Sequence, residues 1–354
     1  MNLREVVEKI GPEDQGAREE AHRRWSACAK PLGGLGFLET VVENVAALTG
    51  STAVDFGHRA LLVLCADNGV VAQGVTQSPS SVTAAVAGNL AAGRSSVCMM
   101  AKVARCRVVP VDMGILDFSG LPGLLDRRMG NGTQDISVGP AMTRRQAEQA
   151  VLTGIELVRE QQEQGCRLLA TGEMGIGNTT TSSAVACMLL GRQVQELTGR
   201  GAGLSDQGLR RKIEVIRRAI AVNRPDPEDP LDVLSKLGGF DIAGLCGIFL
   251  GGALYGIPVL IDGVISSAAA LCAERLCPNS AKAMVASHVS QEPASRLLLE
   301  ALGKRPLITA GMHLGEGTGA VAAIPLLDMA LAVYQGSSTF DETGIEAYQP
   351  LGGQ

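Results

Sequence analysis

Aromatic residues are scarce: one Trp, three Tyr and six Phe make up 3% of the 354 residues. Few rings are therefore available to stack on bases. A net charge of −5 supplies no basic field for nucleic acid or anionic lipid, so neither is expected as a partner. Only four histidines occur. His58, His288 and His313 have no metal-like spacing, and the nine cysteines include no Cys-x-x-Cys pair, so no metal site is expected. A GxSxG elbow is absent, which removes the usual signature of triad chemistry. The longest apolar stretches, such as "FLGGALYGIPVLI", are broken by Gly and Pro and fall short of the ~20 residues a membrane span needs. The charged start "MNLREVVEKIGPEDQ" has no apolar signal region. An odd, scattered set of cysteines in apolar surroundings reads as reduced thiols, the pattern of a cytoplasmic protein.

Small aliphatic residues dominate instead. Hydrophobic residues reach 46%, with 44 glycines, so a large, closely packed core is expected. Runs at 60–67, 106–114, 166–174 and 257–263 are apolar throughout, as strands buried on both faces are. Between them lie helical patterns. In 143–165, Ala147, Ala150, Val151, Gly154, Ile155 and Val158 share one face, Thr143 and Gln146 suit a capping box, and Gly165 suits the C′ position. Alternating strands and helices predict an α/β fold with a mainly parallel, Rossmann-like sheet covered by helices. Residues 1–45 and 265–304 read as helical, and a smaller helical domain built from both ends of the chain is expected.

Ligands of such sheets bind beyond the carboxyl ends of the strands. Asp67, Asp112, Glu173 and Asp262 each stand near a glycine at such an end, so a shared rim is expected, although acid–glycine pairs also begin ordinary turns. "TGEMGIGNTTTSSAV" (171–185) passes from strand through glycines into a helix. Gly175, Gly177, Asn178, Thr179 and Thr180 offer more donors than a cap requires, which suits a phosphate at the helix N-terminus. The Walker lysine is missing, which argues against a nucleoside-triphosphate motor. "TGRGAGLSD" (198–206) is a second glycine loop, and the "RRKIEVIRR" after it reads mostly as a solvated helix face. "GEGTGA" (315–320) matches GxGxxA, but only 35 residues follow Gly319, too few for a dinucleotide unit. Its Glu316 is open to two readings, an exposed turn residue or a desolvated base. Apolar surroundings disfavour a charged carboxylate and move it toward the range useful for accepting a proton.

"AKPLGGLGFLE", "CADNGVVAQGVTQSP", "GEMGIGNTTT", "GRGAGLSD", "SKLGGFDIAG", "PVLIDGVISSAAAL" and "HLGEGTGA" occur in this order between residues 29 and 320. Together they resemble the nicotinate-nucleotide:dimethylbenzimidazole phosphoribosyltransferase family of cobamide biosynthesis. The resemblance implies transfer of phosphoribose from nicotinate mononucleotide to a lower-ligand base, with inversion at C1′ and no metal or redox cofactor. It implies Glu316 as the general base and Glu173 as a second catalytic carboxylate. Gly175, Gly177, Asn178, Thr179, Gly201, Gly203 and Lys212 would form the phosphoribose site. Ser290 would join them, although "SHVSQE" also reads as a helix cap. Ser78, Val86 and Leu314 would lie about the acceptor base. The chain is expected to divide into an N-terminal helical part of the small domain (1–45), a large α/β domain with the phosphoribose site (46–264) and a helical part carrying the LGEG loop that partly returns to the small domain (265–354).

Two positions depart from common members. Asn68 stands where many have His, and Val86 where some benzimidazole-using members have Gln. A branch of the family glycosylates phenol and p-cresol as a heterodimer, whereas members are typically homodimers. Phenolic transfer and a non-catalytic paralogous subunit are thus the alternatives, and retention of Glu316 and Glu173 argues against the second.

Overall fold

The computed structural model describes residues 1–348. Six strands form one sheet: β1 (Arg59–Ala66), β2 (Arg107–Gly114), β3 (Leu125–Asp126), β4 (Leu168–Met174), β5 (Val259–Ile261) and β6 (Met284–Ala286). Their order is β3-β2-β1-β4-β5-β6, and every pairing is parallel. The chain builds outward from β1 to one edge, then returns to β4 and builds to the other. The strand order therefore reverses between β1 and β4, and a crevice opens at the carboxyl ends there.

The unbroken apolar strand runs follow from burial on both faces. In β1, Ala60, Leu62, Leu64 and Ala66 point into one core, and Leu61, Val63 and Cys65 into the other. Helices Arg144–Glu163 and Phe240–Tyr255 cover the first face, and Phe37–Thr49, Ser96–Val103 and Thr318–Gly336 cover the second. The expected capping box of Thr143 and Gln146 is present, all six residues of the predicted apolar face are buried, and Gly165 follows the helix at φ +78°.

Helices Arg144–Glu163 and Phe240–Tyr255 meet at backbone distance through glycines. A Cβ at Gly154 would strike the Gly244 carbonyl, and one at Gly247 would strike that of Val151. Glycine at these points lets two helices pack where side chains would hold them apart. Gly154→Val is therefore expected to destabilise the fold by ~3 kcal/mol through overpacking. The check is a urea midpoint, which should fall markedly; an unchanged midpoint would mean the helices have room there.

The stretch 265–304 is not wholly helical, because it contains β6. A three-residue strand leaves too little pattern to register in the sequence. Helix Thr318–Gly336 is 19 residues long and apolar enough to cross a membrane by length and composition. It instead buries Val321, Ile324, Leu327 and Tyr334 in the second core. The two ends of the chain meet on this face. Trp25 and Tyr334 have ring centroids 4.9 Å apart, and the Ala29 N–H donates to the Ser338 carbonyl at 2.9 Å. All nine cysteines are buried and free of disulfides.

Candidate active site

A cavity of about 300 Å³ lies at the carboxyl ends of β4 and β5, beside the crevice where the strand order reverses. Its walls come from the end of β4 through the following turn into helix Asn178–Leu190 (Glu173 to Thr179), Gly201, the segment after β5 (Asp262 to Ser266), His288, Ser290, Glu292 and the loop at 313–316. Thr76, Ser78 and Val82 close another side.

The turn after β4 needs its glycines. Gly177 has φ +96°, and a Cβ at Gly175 would collide with the Ala66 carbonyl. Gly177 also begins helix Asn178–Leu190 without any side-chain cap; the Asn178 and Thr180 N–H groups donate to the Gly175 and Gly177 carbonyls at 3.1 and 2.9 Å, and Thr179 between them lines the cavity. Beneath it, Lys212 is fully buried. Its Nζ donates to Thr179 Oγ1 at 3.0 Å and to the Gly199 carbonyl at 3.1 Å. Burial pulls Lys212 down to about 8, partly opposed by the Glu292 carboxylate. It thus keeps most of its positive charge at neutral pH. Thr179, Gly201 and Lys212 are thus gathered into a cradle of hydrogen-bond donors and positive charge.

Asn178 lines the cavity but does not present its amide nitrogen to that cradle. Its Nδ2 donates to Glu173 and to Asp241 Oδ2, the latter at 3.0 Å. The side chain expected at the phosphate instead holds two buried carboxylates in the fold. Glu173 is pushed up to about 8, chiefly by burial, with Asp241, Asp262 and Glu316 adding to the rise and Asn178 opposing it. Asp241 rises to about 6 for the same first reason.

Glu316 lies between Gly315 and Gly317, and all three have positive φ, +60° for the glutamate itself. A non-glycine residue in this region is strained, and such strain gathers at functional sites. The loop presses on β4, where a Cβ at Gly172 would run into the Glu316 carbonyl at 2.6 Å. The carboxylate accepts the Val97 N–H at 3.3 Å, near the start of helix Ser96–Val103. Glu316 is half-exposed. The apolar residues after it belong to helix Thr318–Gly336 and its packing.

The shared acidic rim is only half present. Asp262 and Glu173 line the cavity; Asp67 and Asp112 do not. Asp112 pairs with Arg128 at 2.9 Å and accepts the Gly114 and Ile115 N–H groups. Asp67 accepts from Thr83 Oγ1 at 2.7 Å, and Thr83 Oγ1 in turn accepts the Ile176 N–H at 3.1 Å. Asp67 therefore steadies the cavity turn from behind.

Of the other expected residues, Ser78, Ser290 and Leu314 line the cavity. Thr180 is buried outside its lining, and the Gly203 carbonyl accepts from the Gln77 side chain. Val86 packs against the second core, and Val82, one turn earlier in the same helix, is the valine that faces the cavity.

Sequence reasoning missed Asp241, His288 and Glu292. His288 Nδ1 lies 4.0 Å from Asp262 Oδ1 and 3.1 Å from Ser287 Oγ. Burial lowers His288 and raises Asp262, which favours a neutral imidazole. Asp241 sits in "SKLGGFDIAG" and Glu292 in "SHVSQE", both visible as motifs, but nothing in their spacing assigns a role.

A phosphoribosyltransferase family model matches residues 10–345. The nicotinate-nucleotide–dimethylbenzimidazole phosphoribosyltransferase of Ruminiclostridium cellulolyticum is 44% identical over 351 residues, covering 99% of this chain and all of that one. The chain belongs to the nicotinate-nucleotide–dimethylbenzimidazole phosphoribosyltransferase family. The Acetivibrio thermocellus member is also 44% identical, over 98% of this chain and 99% of its own length. Among solved structures, CobT from Thermus thermophilus superposes with a TM-score of 0.89 at 40% identity, covering 94% of this chain and all of that one. Within this phosphoribosyltransferase the first departure noted above, Asn68, lies behind the site: it is buried, and its Oδ1 accepts from Thr181 Oγ1 at 3.2 Å. That exchange bears on how helix Asn178–Leu190 is held, not on the acceptor wall.

Proposed function

We propose that this phosphoribosyltransferase moves the 5-phosphoribosyl group of nicotinate mononucleotide to 5,6-dimethylbenzimidazole or a similar azole, giving an α-linked riboside 5′-phosphate and nicotinate. One observation carries the reading: Thr179 and Gly201, the two parts of the cradle nearest Lys212, line a single cavity with Glu316. The phosphate sits against Thr179 at the start of helix Asn178–Leu190 and on Gly201, with Lys212 beneath. Glu316 takes the azole N–H proton while the other ring nitrogen attacks C1′. The C1′–N bond to the pyridinium breaks, and its electron pair returns to nicotinate. Positive charge spreads over C1′ and the ring oxygen at that moment, and Glu173, Asp241 and Asp262 supply negative or readily ionised groups beside it. The cationic pyridinium of the bound substrate would favour ionised Glu173.

The acceptor end includes Leu314, which is 56% exposed. A second copy of the chain closes that end in this proposal, and a reducing cytoplasm suits the nine unpaired thiols. The test incubates the purified chain with nicotinate mononucleotide and either dimethylbenzimidazole or p-cresol, with mass detection of the riboside phosphate. Product with the azole is expected. Product with p-cresol alone would move the acceptor to a phenol, and none with either would overturn a self-sufficient enzyme. Light scattering should give twice the chain mass of 36.7 kDa; a monomeric mass would overturn closure by a second copy.

Lys212→Met tests the cradle. Losing charge-assisted hydrogen bonds worth about 1.5–3 kcal/mol should weaken nicotinate mononucleotide binding on the order of 10–100-fold. Calorimetry measures this directly, and an unchanged affinity would remove the phosphate from this end.

A further inference from the structure

The anion cradle holds a carboxylate of the protein's own. Glu292 Oε1 accepts the Gly201 N–H at 3.0 Å, and a Cβ at Gly199 would collide with the same carboxylate. Lys212 donates to the Gly199 carbonyl at 3.1 Å and lies directly beneath, and Gly201 has φ +54°, its Cβ position 3.6 Å from Lys212 Nζ. Thus Gly199 and Gly201, which both lie against Lys212, face one acidic side chain. The Glu292 backbone is tied separately, its N–H donating to Ser290 Oγ at 3.3 Å. The side chain is half-exposed, so it can rotate toward solvent without moving its backbone.

We infer that Glu292 is a built-in competitor for the phosphate: its carboxylate occupies the Gly201 amide, and a phosphorylated ligand gains the cradle only by displacing it. The inference rests on the cradle being the phosphate site. The reaction leaves the ligand's 5′-phosphate untouched, so tight phosphate binding would hold product as firmly as substrate. Binding that is equal for both contributes nothing to the chemical step. A carboxylate that returns to Gly201 limits that grip and helps product leave.

Glu292→Gln and Glu292→Ala test this, with inorganic phosphate and nicotinate mononucleotide as probes in calorimetry and thermal unfolding to confirm folded samples. Both variants should bind both probes more tightly than the native chain, on the order of tenfold, because a charge-assisted contact no longer has to be broken. Stopped-flow release of the riboside phosphate should slow in proportion. Unchanged or weaker phosphate binding in either folded variant would overturn the inference and make Glu292 a support of the cradle. Lys212→Met separates the two levels. If it abolishes phosphate binding while the Glu292 variants bind as the native chain does, only the competitor fails. If it leaves phosphate binding intact, the cradle itself is misplaced.

Discussion

Glu316→Gln should lower kcat with dimethylbenzimidazole on the order of 10²–10⁴-fold, the usual worth of a positioned general base. Glutamine is nearly isosteric and keeps an oxygen for the Val97 N–H, which Glu316 accepts at 3.3 Å. The strained loop therefore retains its anchor, and what is lost is the ability to take a proton. The phosphate end of the cavity is formed by other elements, so KM for nicotinate mononucleotide should change little. A decisive version uses 1-methylbenzimidazole, which has a nucleophilic nitrogen but no N–H. With no proton to remove, the penalty should shrink to within about threefold, as expected when the only lost interaction acts on that proton. If the variant is equally impaired with both acceptors, Glu316 acts through its charge alone. If it is impaired with neither, the base lies elsewhere.

The general form of the fold was legible in the sequence because the sheet is buried on both faces. That burial made β1, β2, β4 and β5 unbroken apolar runs, and the capping box at Thr143 marked one helix start to the residue. Strands β3 and β6, two and three residues long, are fixed by their neighbours in the sheet and leave no period of their own. The site was legible where backbone chemistry sets it, as at Gly175, Gly177 and Gly201, since glycines announce close approach. It was less legible where side chains from distant segments meet. Asn178 and Asp241 are 63 residues apart, and Gly201 and Glu292 are 91 apart. The sequence shows Asp241 and Glu292 as ordinary polar residues. The acidic rim failed at Asp67 and Asp112 for a related reason. An acid at a strand end can hold the adjoining loops together as readily as it can face a ligand, and only the fold tells which.

The buried carboxylate makes the second large prediction. Glu173 has its pKa raised from 4.5 to about 8, principally because burial disfavours the charge. A carboxylate raised on folding contributes stability that is fully present below its unfolded value and is lost as pH rises through the folded one. Moving from pH 5 to pH 9 should therefore cost the native chain on the order of 4 kcal/mol through this residue. Glu173→Gln removes the titration while leaving an oxygen to accept from Asn178 Nδ2, the partner it has in the fold. The two proteins should differ least near pH 5, with the variant pulling ahead as pH rises, most steeply between about 5.5 and 7.5 and levelling off by about 9. Other titrating groups are common to both and largely cancel in the comparison. A difference that stays constant with pH would show that Glu173 does not titrate in this range, and the acid cluster would then owe its protonation to Asp241 or Asp262. Activity should move the opposite way. A group that costs stability when charged is retained where that charge stabilises a cationic transition state, so the more stable variant should be the slower enzyme.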